Sequence, residues 1–425
     1  MPNSKPPQSQ KPCLPNSKSD KLHKPNPTVD KRALIFGLTS VLLCGVGFGV
    51  ITPVVPFLVE PYVNNSGDQA IAVTMLISVY AFCVFFAAPG LGALSDRFGR
   101  RPLLLVSLLA SAIGFIVFGI GGALWVLFAG RIIEGIAGGS ISTLFAYFAD
   151  ITPKAQRTKY FGWMSAMMGV GFFVGPTLGG LLANFGYQIP LFAGAAITLL
   201  NLIFGCFFMQ ESLDKGNRLE KITIVRLNPF SQLASILSIK NLGRLLIAGF
   251  LLWIPAGSFQ AVFSQYTIDT FNWMPVLIGL MFSIIGIQDI VSQGLIMPQL
   301  LKRLSDSRIS TLGMAAEIAG YACIAASALL ISPVLFVVGM FIYGFGDSIF
   351  GPSFNGMISK SVDAGEQGRV QGGSQSIQAL ARIIGPVVGG QIYVLLGHFA
   401  PFIMGMVLVA AAMLVLKGKK STIAP

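Results

Sequence analysis

The sequence predicts an all-α integral membrane protein with twelve transmembrane helices in two pseudo-symmetric six-helix halves. Three observations carry this. The 425-residue chain is 54% hydrophobic and only 11% charged, whereas soluble domains carry about 25% charged residues. Apolar runs of about 20 residues, the length a helix needs to cross a bilayer, recur from Leu34 to near the C-terminus. Gly175-Pro176-Thr177-Leu178-Gly179-Gly180 returns as Gly385-Pro386-Val387-Val388-Gly389-Gly390, an offset of 210 residues (385 minus 175). Two halves related by an axis along the membrane normal fit such a repeat.

The runs fall at about 34–59, 72–92, 103–122, 124–148, 158–183, 188–209, 242–264, 274–297, 310–331, 333–356, 371–395 and 399–417. Residues 1–33 are rich in Pro, Ser, Asn and Lys and form a disordered, basic cytoplasmic tail. No apolar core follows a short basic start there, so the tail is not a secretory signal. Residues 34–209 make the N-terminal half, and Gly121-Gly122 marks the turn that separates its third and fourth helices. A polar cytoplasmic linker spans 210–241, the C-terminal half 242–417, and a cytoplasmic tail 418–425. Four of the five cysteines (Cys44, Cys83, Cys206, Cys323) fall inside helices and none forms a Cys-x-x-Cys pair. They read as small apolar groups, with no disulfide and no metal site.

The net charge of +12 does not point to nucleic acid. Lys and Arg occupy alternate loops (97–101, 154–159, 215–226, 302–308, 417–420), while the loops around 60–71, 184–189 and 265–273 have none. That alternation is the positive-inside pattern and places both termini in the cytoplasm of a multi-pass inner (plasma) membrane protein.

The densest charge lies in Gly92-Ala93-Leu94-Ser95-Asp96-Arg97-Phe98-Gly99-Arg100-Arg101-Pro102, between the second and third runs. Asp96 amid Arg97, Arg100 and Arg101 suits a charge latch between helix ends, since Arg–carboxylate pairs are strong when partly desolvated. A basic loop that merely sets topology would explain the arginines but not Gly92, Asp96 and Gly99 together. In the fifth helix Gly171, Gly175 and Gly179 repeat every four residues, with Pro176 and Gly180 beside them. Such a smooth face lets two helices approach closely, and the proline can bend its helix. Gly385, Pro386, Gly389 and Gly390 repeat the device in the eleventh.

Polar residues inside the runs need a reason, because a carboxylate at the bilayer centre costs about 2.5–3.5 kcal/mol on insertion scales. Glu134, Asp289, Glu317 and Asp347 are such acids. A low-dielectric site disfavours the charged form of a carboxyl group, so each is a candidate for carrying a proton, or else for a fixed structural ion pair. Arg131 can pair with Glu134 if neighbouring helices allow it. Gln371, Gln375, Gln378 and Arg382 form one stripe on the eleventh helix. In lipid that stripe must face a cavity or other helices. Gln288, Asp289, Ser292 and Gln293 make a smaller cluster in the eighth. Arg382 needs a counter-ion, and Asp347 or Glu317 is the expected one.

The charged block contains every element of Gly-x-Leu-x-Asp-Arg-x-Gly-Arg-Arg and resembles the signature of the major facilitator superfamily. Arg131 and Gly135 match a second signature, Arg-x-x-x-Gly. With Ala149 to Pro153, Arg157 to Ser165 and the Gly-Pro motif, residues 45–212 resemble the twelve-helix drug/proton antiporters, particularly the tetracycline/proton branch. The resemblance implies a major facilitator fold with a substrate site at the midplane between the halves. It implies a proton-coupled secondary active transporter that exports drugs or amphiphilic metabolites, tetracycline-like or multidrug, by alternating access. The fifth-helix Gly-Pro motif is typical of exporters in that superfamily. A proton-coupled uptake symporter for a small nutrient or metabolite is the alternative. The family's first-helix and third-helix acids fall where this chain has Cys44 and Gly114, and the ninth-helix acid is Glu317. No cofactor is implied beyond the proton as coupling ion. The partners are a small-molecule substrate and the lipid bilayer, with a monomer as the working unit. With His23 and His398 as the only histidines and no phosphate-binding loop, neither enzymatic hydrolysis nor ATP-driven pumping is expected.

Overall fold

Chain segments that cannot satisfy their backbone groups with water must satisfy them internally, and the apolar runs do so as helices. The computed structural model describes residues 31–153, 157–214, 216, 218–220, 227–230, 242–361 and 367–417. The helices are α1 (Lys31–Ile51), α2 (Ser66–Phe98), α3 (Arg100–Ile120), α4 (Leu124–Ile151), α5 (Arg157–Leu182) and α6 (Ile189–Phe208). After the linker come α7 (Gly243–Phe271), α8 (Pro275–Arg303), α9 (Asp306–Leu330), α10 (Pro333–Lys360), α11 (Gln367–Leu396) and α12 (Ala400–Lys417). Among the described residues, eleven of these are long and apolar enough to span a membrane, and α12 contributes a shorter apolar stretch. Leu200, Phe207, Leu395 and Leu414 face outward from them, as residues in contact with lipid tails do. The tail up to residue 30, most of the linker and residues 418–425 lie outside the described residues.

Several boundaries differ from the sequence expectation for local reasons. The first run does not continue to residue 59. Thr52-Pro53 breaks it, and a short helix, Val55–Val59, follows. The charged block is not a loop. α2 continues through Ser95, Asp96 and Arg97 to Phe98, and α3 resumes at Arg100, so the turn is Gly99 alone, at φ 108°. Only glycine takes that conformation without strain. Gly121 and Gly122, at φ 60° and 86°, make the expected turn between α3 and α4. α7 carries on past residue 264 to Phe271, which keeps Gln265 and Asp269 one helical turn apart on the same face. α8 contains a π-helical turn at Ser292–Ile296, within its polar cluster.

The two glycine motifs have equivalent packing. A side-chain carbon built on Gly175 would lie 2.6 Å from the Val46 carbonyl oxygen and 2.9 Å from the Gly49 Cα, so α5 and α1 touch backbone to backbone. In the second half a carbon on Gly385 would lie 2.5 Å from the Ile254 carbonyl oxygen and 2.9 Å from the Ser258 nitrogen, so α11 meets α7 the same way. The last glycine of each motif faces the other half: Gly180 abuts Pro275 and Val276 of α8, and Gly390 abuts Thr74 of α2. Each half also has its own apolar core, around Phe115 and Phe118 in the first and around Phe263, Tyr266 and Phe336 in the second. The α5–α8 and α2–α11 contacts join the halves and leave a space between them.

Candidate functional site: a cavity between the halves

That space is a cavity of about 800 Å³, large enough for a drug-sized molecule. Its wall includes Ser40, Cys44 and Phe48 of α1, Tyr80 and Gly92 of α2, Phe115 of α3, and Glu134 of α4. Phe172 of α5, Asn201 of α6, Gln260 of α7, and Gln375, Gln378 and Arg382 of α11 complete it. The cavity reaches Asp96 and Pro229 at the end of the bundle that carries the Gly99 turn.

The opposite end is closed by contacts between the halves. Gln265 Nε2 donates to Gln69 Oε1 (3.1 Å) and to Asp269 Oδ1 (2.9 Å). Gln69 Nε2 donates to the Pro56 carbonyl (2.8 Å), and Tyr393 Oη to Asp269 Oδ2 (2.7 Å). Ser264 Oγ donates to the Thr52 carbonyl at 2.9 Å. The Thr177 and Ser283 hydroxyls meet between α5 and α8. α1, α2, α7 and α11 are thus tied together at one end and separated at the other.

Within the cavity wall, Arg131 Nη1 bonds Glu134 Oε2 at 2.9 Å, one turn apart on α4, and both are nearly buried (4% and 6% exposed). The Arg131 guanidinium also stacks over Tyr80 and Phe118, 5.1 and 5.3 Å from the ring centroids. A side chain at 114 would collide with the Glu134 backbone nitrogen, 2.9 Å from the built carbon. The α3 position where the resemblance implies an acid is therefore filled by α4 itself. At the α1 position Cys44 lines the cavity.

The eleventh-helix stripe faces the cavity through Gln375, Gln378 and Arg382; the Gln371 side chain lies outside the described residues. The expected counter-ion does not pair with Arg382: among the described residues neither Asp347, Glu317 nor any other carboxylate comes within 4.0 Å of it. Its side chain is exposed to the cavity, and Asp347 and Tyr80 act on it only through space. Glu317 is 2% exposed, with its Oε1 lacking any hydrogen-bond partner. It lies where α9 and α10 pack closely at Gly346, near Asp347. Asp289 accepts from Gln293 Nε2 (2.8 Å), and Gln288 Nε2 donates to the Phe341 carbonyl (2.6 Å). None of Asp289, Gln288, Glu317 and Asp347 lines the cavity, so the structure divides the candidate polar residues between two regions.

The charged turn also differs from the expectation that three guanidinium groups surround Asp96. Among the described residues Arg100 alone pairs with its carboxylate, at 2.5 Å, and the same guanidinium holds Asp150 at the end of α4 (3.2 Å) and the Ser95 hydroxyl (2.6 Å). Arg101 reaches the Cys206 carbonyl of α6 (2.7 Å), and Arg97 is exposed over the Phe98 ring. Glu211, just after α6, accepts from the backbone nitrogens of Arg100 (2.8 Å) and Arg101 (3.3 Å), capping α3 where helix-dipole and orphan N–H groups favour a carboxylate. Ends of α2, α3, α4 and α6 are joined in this way. Gly92 leaves open cavity wall between them. In the second half the corresponding charges are exchanged: Asp306 starts α9 and pairs with Lys360 at the end of α10.

Comparison with known proteins agrees with this geometry. Residues 37–386 match the Major Facilitator Superfamily. The class C tetracycline resistance protein of Escherichia coli is 35% identical over 363 residues, which cover 85% of this chain and 89% of that protein. Multidrug resistance protein 2 of Bacillus subtilis is 27% identical over 396 residues, 89% of this chain and 93% of that protein. Among solved structures, the nucleoside transporter NupG superposes with a TM-score of 0.73 at 16% identity, covering 91% of this chain and all of that one; at that identity the likeness concerns the fold. The chain is a multi-pass membrane protein of the major facilitator superfamily, in the branch that contains the tetracycline resistance proteins.

Proposed function

We propose that the chain is a proton-coupled secondary transporter that exports drugs or amphiphilic metabolites across the inner (plasma) membrane by alternating access. The observation that carries this is the cavity between the halves, reaching one end of the bundle and closed at the other by the Gln265–Gln69 and Ser264–Thr52 bonds that cross between them. The Arg-rich Gly99 turn marks the reached end as cytoplasmic under the positive-inside rule, so both termini are cytoplasmic and the fold is the inward-facing state. The similarity to tetracycline and multidrug resistance proteins favours export over uptake.

In this reading the halves rock about the cavity. The backbone-to-backbone glycine contacts of α5 with α1 and α11 with α7 keep each half rigid, and the α5–α8 and α2–α11 contacts act as the pivots. The Asp96–Arg100–Asp150 cluster fixes the cytoplasmic helix ends and holds them together when the cavity faces outward. Glu317, a buried acid with no ion pair among the described residues, takes up and releases the proton, with Asp289 next in line. A membrane potential of 100 mV contributes about 2.3 kcal/mol per charge moved. A monomer contains every part. The test is a drug-susceptibility and metabolite-accumulation panel in cells with and without the protein, and with Glu317→Gln. Expression should raise resistance and lower cellular content of at least one compound, and the variant should abolish both; higher cellular content on expression would contradict export.

A further inference from the structure

The cavity wall holds one cation, Arg382, that no carboxylate in the wall pairs with; Asp347, outside the wall, acts on it only through space. The carboxylates in its wall are Glu134 and Asp96. Glu134 is bound by Arg131 and Asp96 by Arg100, so each is already neutralised. Arg382 projects from α11, exposed to the cavity, with no carboxylate within 4.0 Å among the described residues. Gln378, four residues earlier, and Gln375, seven residues earlier, share its helix face and also line the cavity, and Gln260 joins them from α7. Their amides supply further donors beside the guanidinium. The wall also carries an aromatic group in which the Phe48 ring meets Phe172 at 5.2 Å and Tyr80 at 5.6 Å between centroids, and Tyr80 acts on Arg382 through space.

A guanidinium presents a planar fork of donors that matches a carboxylate or sulfonate two bonds at a time. In a space walled by low-dielectric groups an unneutralised cation attracts an anion, and repels a cation, more strongly than it would in water. Flat rings find matching partners in the Phe side chains.

We propose that the cavity selects amphipathic organic anions, whose carboxylate or sulfonate binds Arg382 while an aromatic body lies against Phe48 and Phe172. The proposal deepens the transporter reading above and rests on it for the cavity being the substrate site. It sets this chain apart from a pump for lipophilic cations, which the same aromatic wall would otherwise suit.

Equilibrium binding to the purified full-length protein tests the charge preference without gradient or turnover. The probes are radiolabelled 2-naphthoate and 2-naphthylmethylammonium, one ring system with opposite charges. Wild-type protein should bind naphthoate at least about tenfold more tightly than the ammonium. Arg382→Gln should weaken naphthoate about tenfold or more, the loss expected for a charge-assisted hydrogen-bond pair, and should not weaken the ammonium. Arg382→Lys keeps the charge and loses the fork, so it should fall between wild type and Gln and preserve the preference for the anion. If Arg382→Gln does not fold, as read by its thermal unfolding transition, wild type and Arg382→Lys decide the matter. Equal or tighter binding of the ammonium by wild type, binding of neither probe, or naphthoate affinity unchanged within about twofold in a folded Arg382→Gln would overturn the proposal. Proton-driven flux, measured separately on reconstituted protein, speaks to export alone: tight naphthoate binding without such flux sinks the export reading and leaves the anion site standing.

Discussion

Replacing Gly175 with alanine adds one carbon at the α5–α1 contact, where nothing nearby can yield. That carbon would meet the Val46 carbonyl oxygen at 2.6 Å, the Gly49 Cα at 2.9 Å and the Val50 nitrogen at 3.0 Å, all backbone atoms. Restoring an ordinary contact of 3.4 Å to the oxygen moves the helices apart by about 0.8 Å (3.4 minus 2.6). Overpacking of this kind costs about 1–3 kcal/mol. Gly169 lies on the same helix with nothing within 4 Å of its built carbon, and alanine there should stabilise by up to about 1 kcal/mol through helix propensity. Chemical unfolding in mixed micelles should therefore separate Gly175→Ala from Gly169→Ala by about 1–4 kcal/mol, the sum of those two effects. Gly385→Ala, whose built carbon lies 2.5 Å from the Ile254 carbonyl oxygen, should behave like Gly175→Ala. Gly175→Leu should block turnover more than it weakens substrate binding. Equal stability of Gly175→Ala and Gly169→Ala would refute the backbone-contact account of the repeated motif.

Asp96→Asn should nearly abolish transport at a normal level of protein in the membrane, because the buried Arg100 guanidinium keeps its bonds to Asp150 and the Ser95 hydroxyl; Asp150→Asn should share the phenotype, since both carboxylates hold the one Arg100 guanidinium, and normal flux in either contradicts the latch. Glu317→Gln should lose pH-driven transport while exchange at equal pH continues, as read by substrate and proton fluxes in the same vesicles; an unchanged proton flux would pass the role to Asp289. Tyr393→Phe and Asp269→Ala remove a bond that braces Asp269, which in turn holds the Gln265 side chain that reaches across to Gln69, so a membrane-impermeant thiol reagent added on the side away from the Gly99 turn should label Cys44 faster in a single-cysteine background; unaltered labelling would show that this network does not hold the end shut.

The sequence made the helices legible because lipid leaves a chain few alternatives, and the Gly-Pro repeat made the two halves legible because both copies meet the same packing need. Helix ends were harder. α2 runs through its charged block because Ser95, Asp96 and Arg97 all accept helical geometry and only Gly99 breaks it. The latch was half visible: Asp96 and Arg100 are neighbours in sequence, but Asp150 and Glu211 arrive from 50 and 111 residues away. Spacing carries no trace of that. The closing network of Gln69, Gln265, Asp269 and Tyr393 was missed altogether, because residues 265–273 read as a loop without basic residues. The four-residue spacing of Gln265 and Asp269 was the available signal that α7 continues. Arg382 was expected to meet a counter-ion, yet among the described residues no carboxylate lies within 4.0 Å of it and it lines a cavity, which only the arrangement of α1, α7 and α11 reveals.

Proton-driven movement of drug in everted membrane vesicles tests the central claim of export most directly. With the lumen acidified, tetracycline or a matched aromatic anion should accumulate inside the vesicles, the lumen should lose protons as it does so, and collapse of the pH gradient should release the compound. Movement of compound toward the cytoplasmic face, with protons travelling the same way, would establish an uptake symporter and contradict the account.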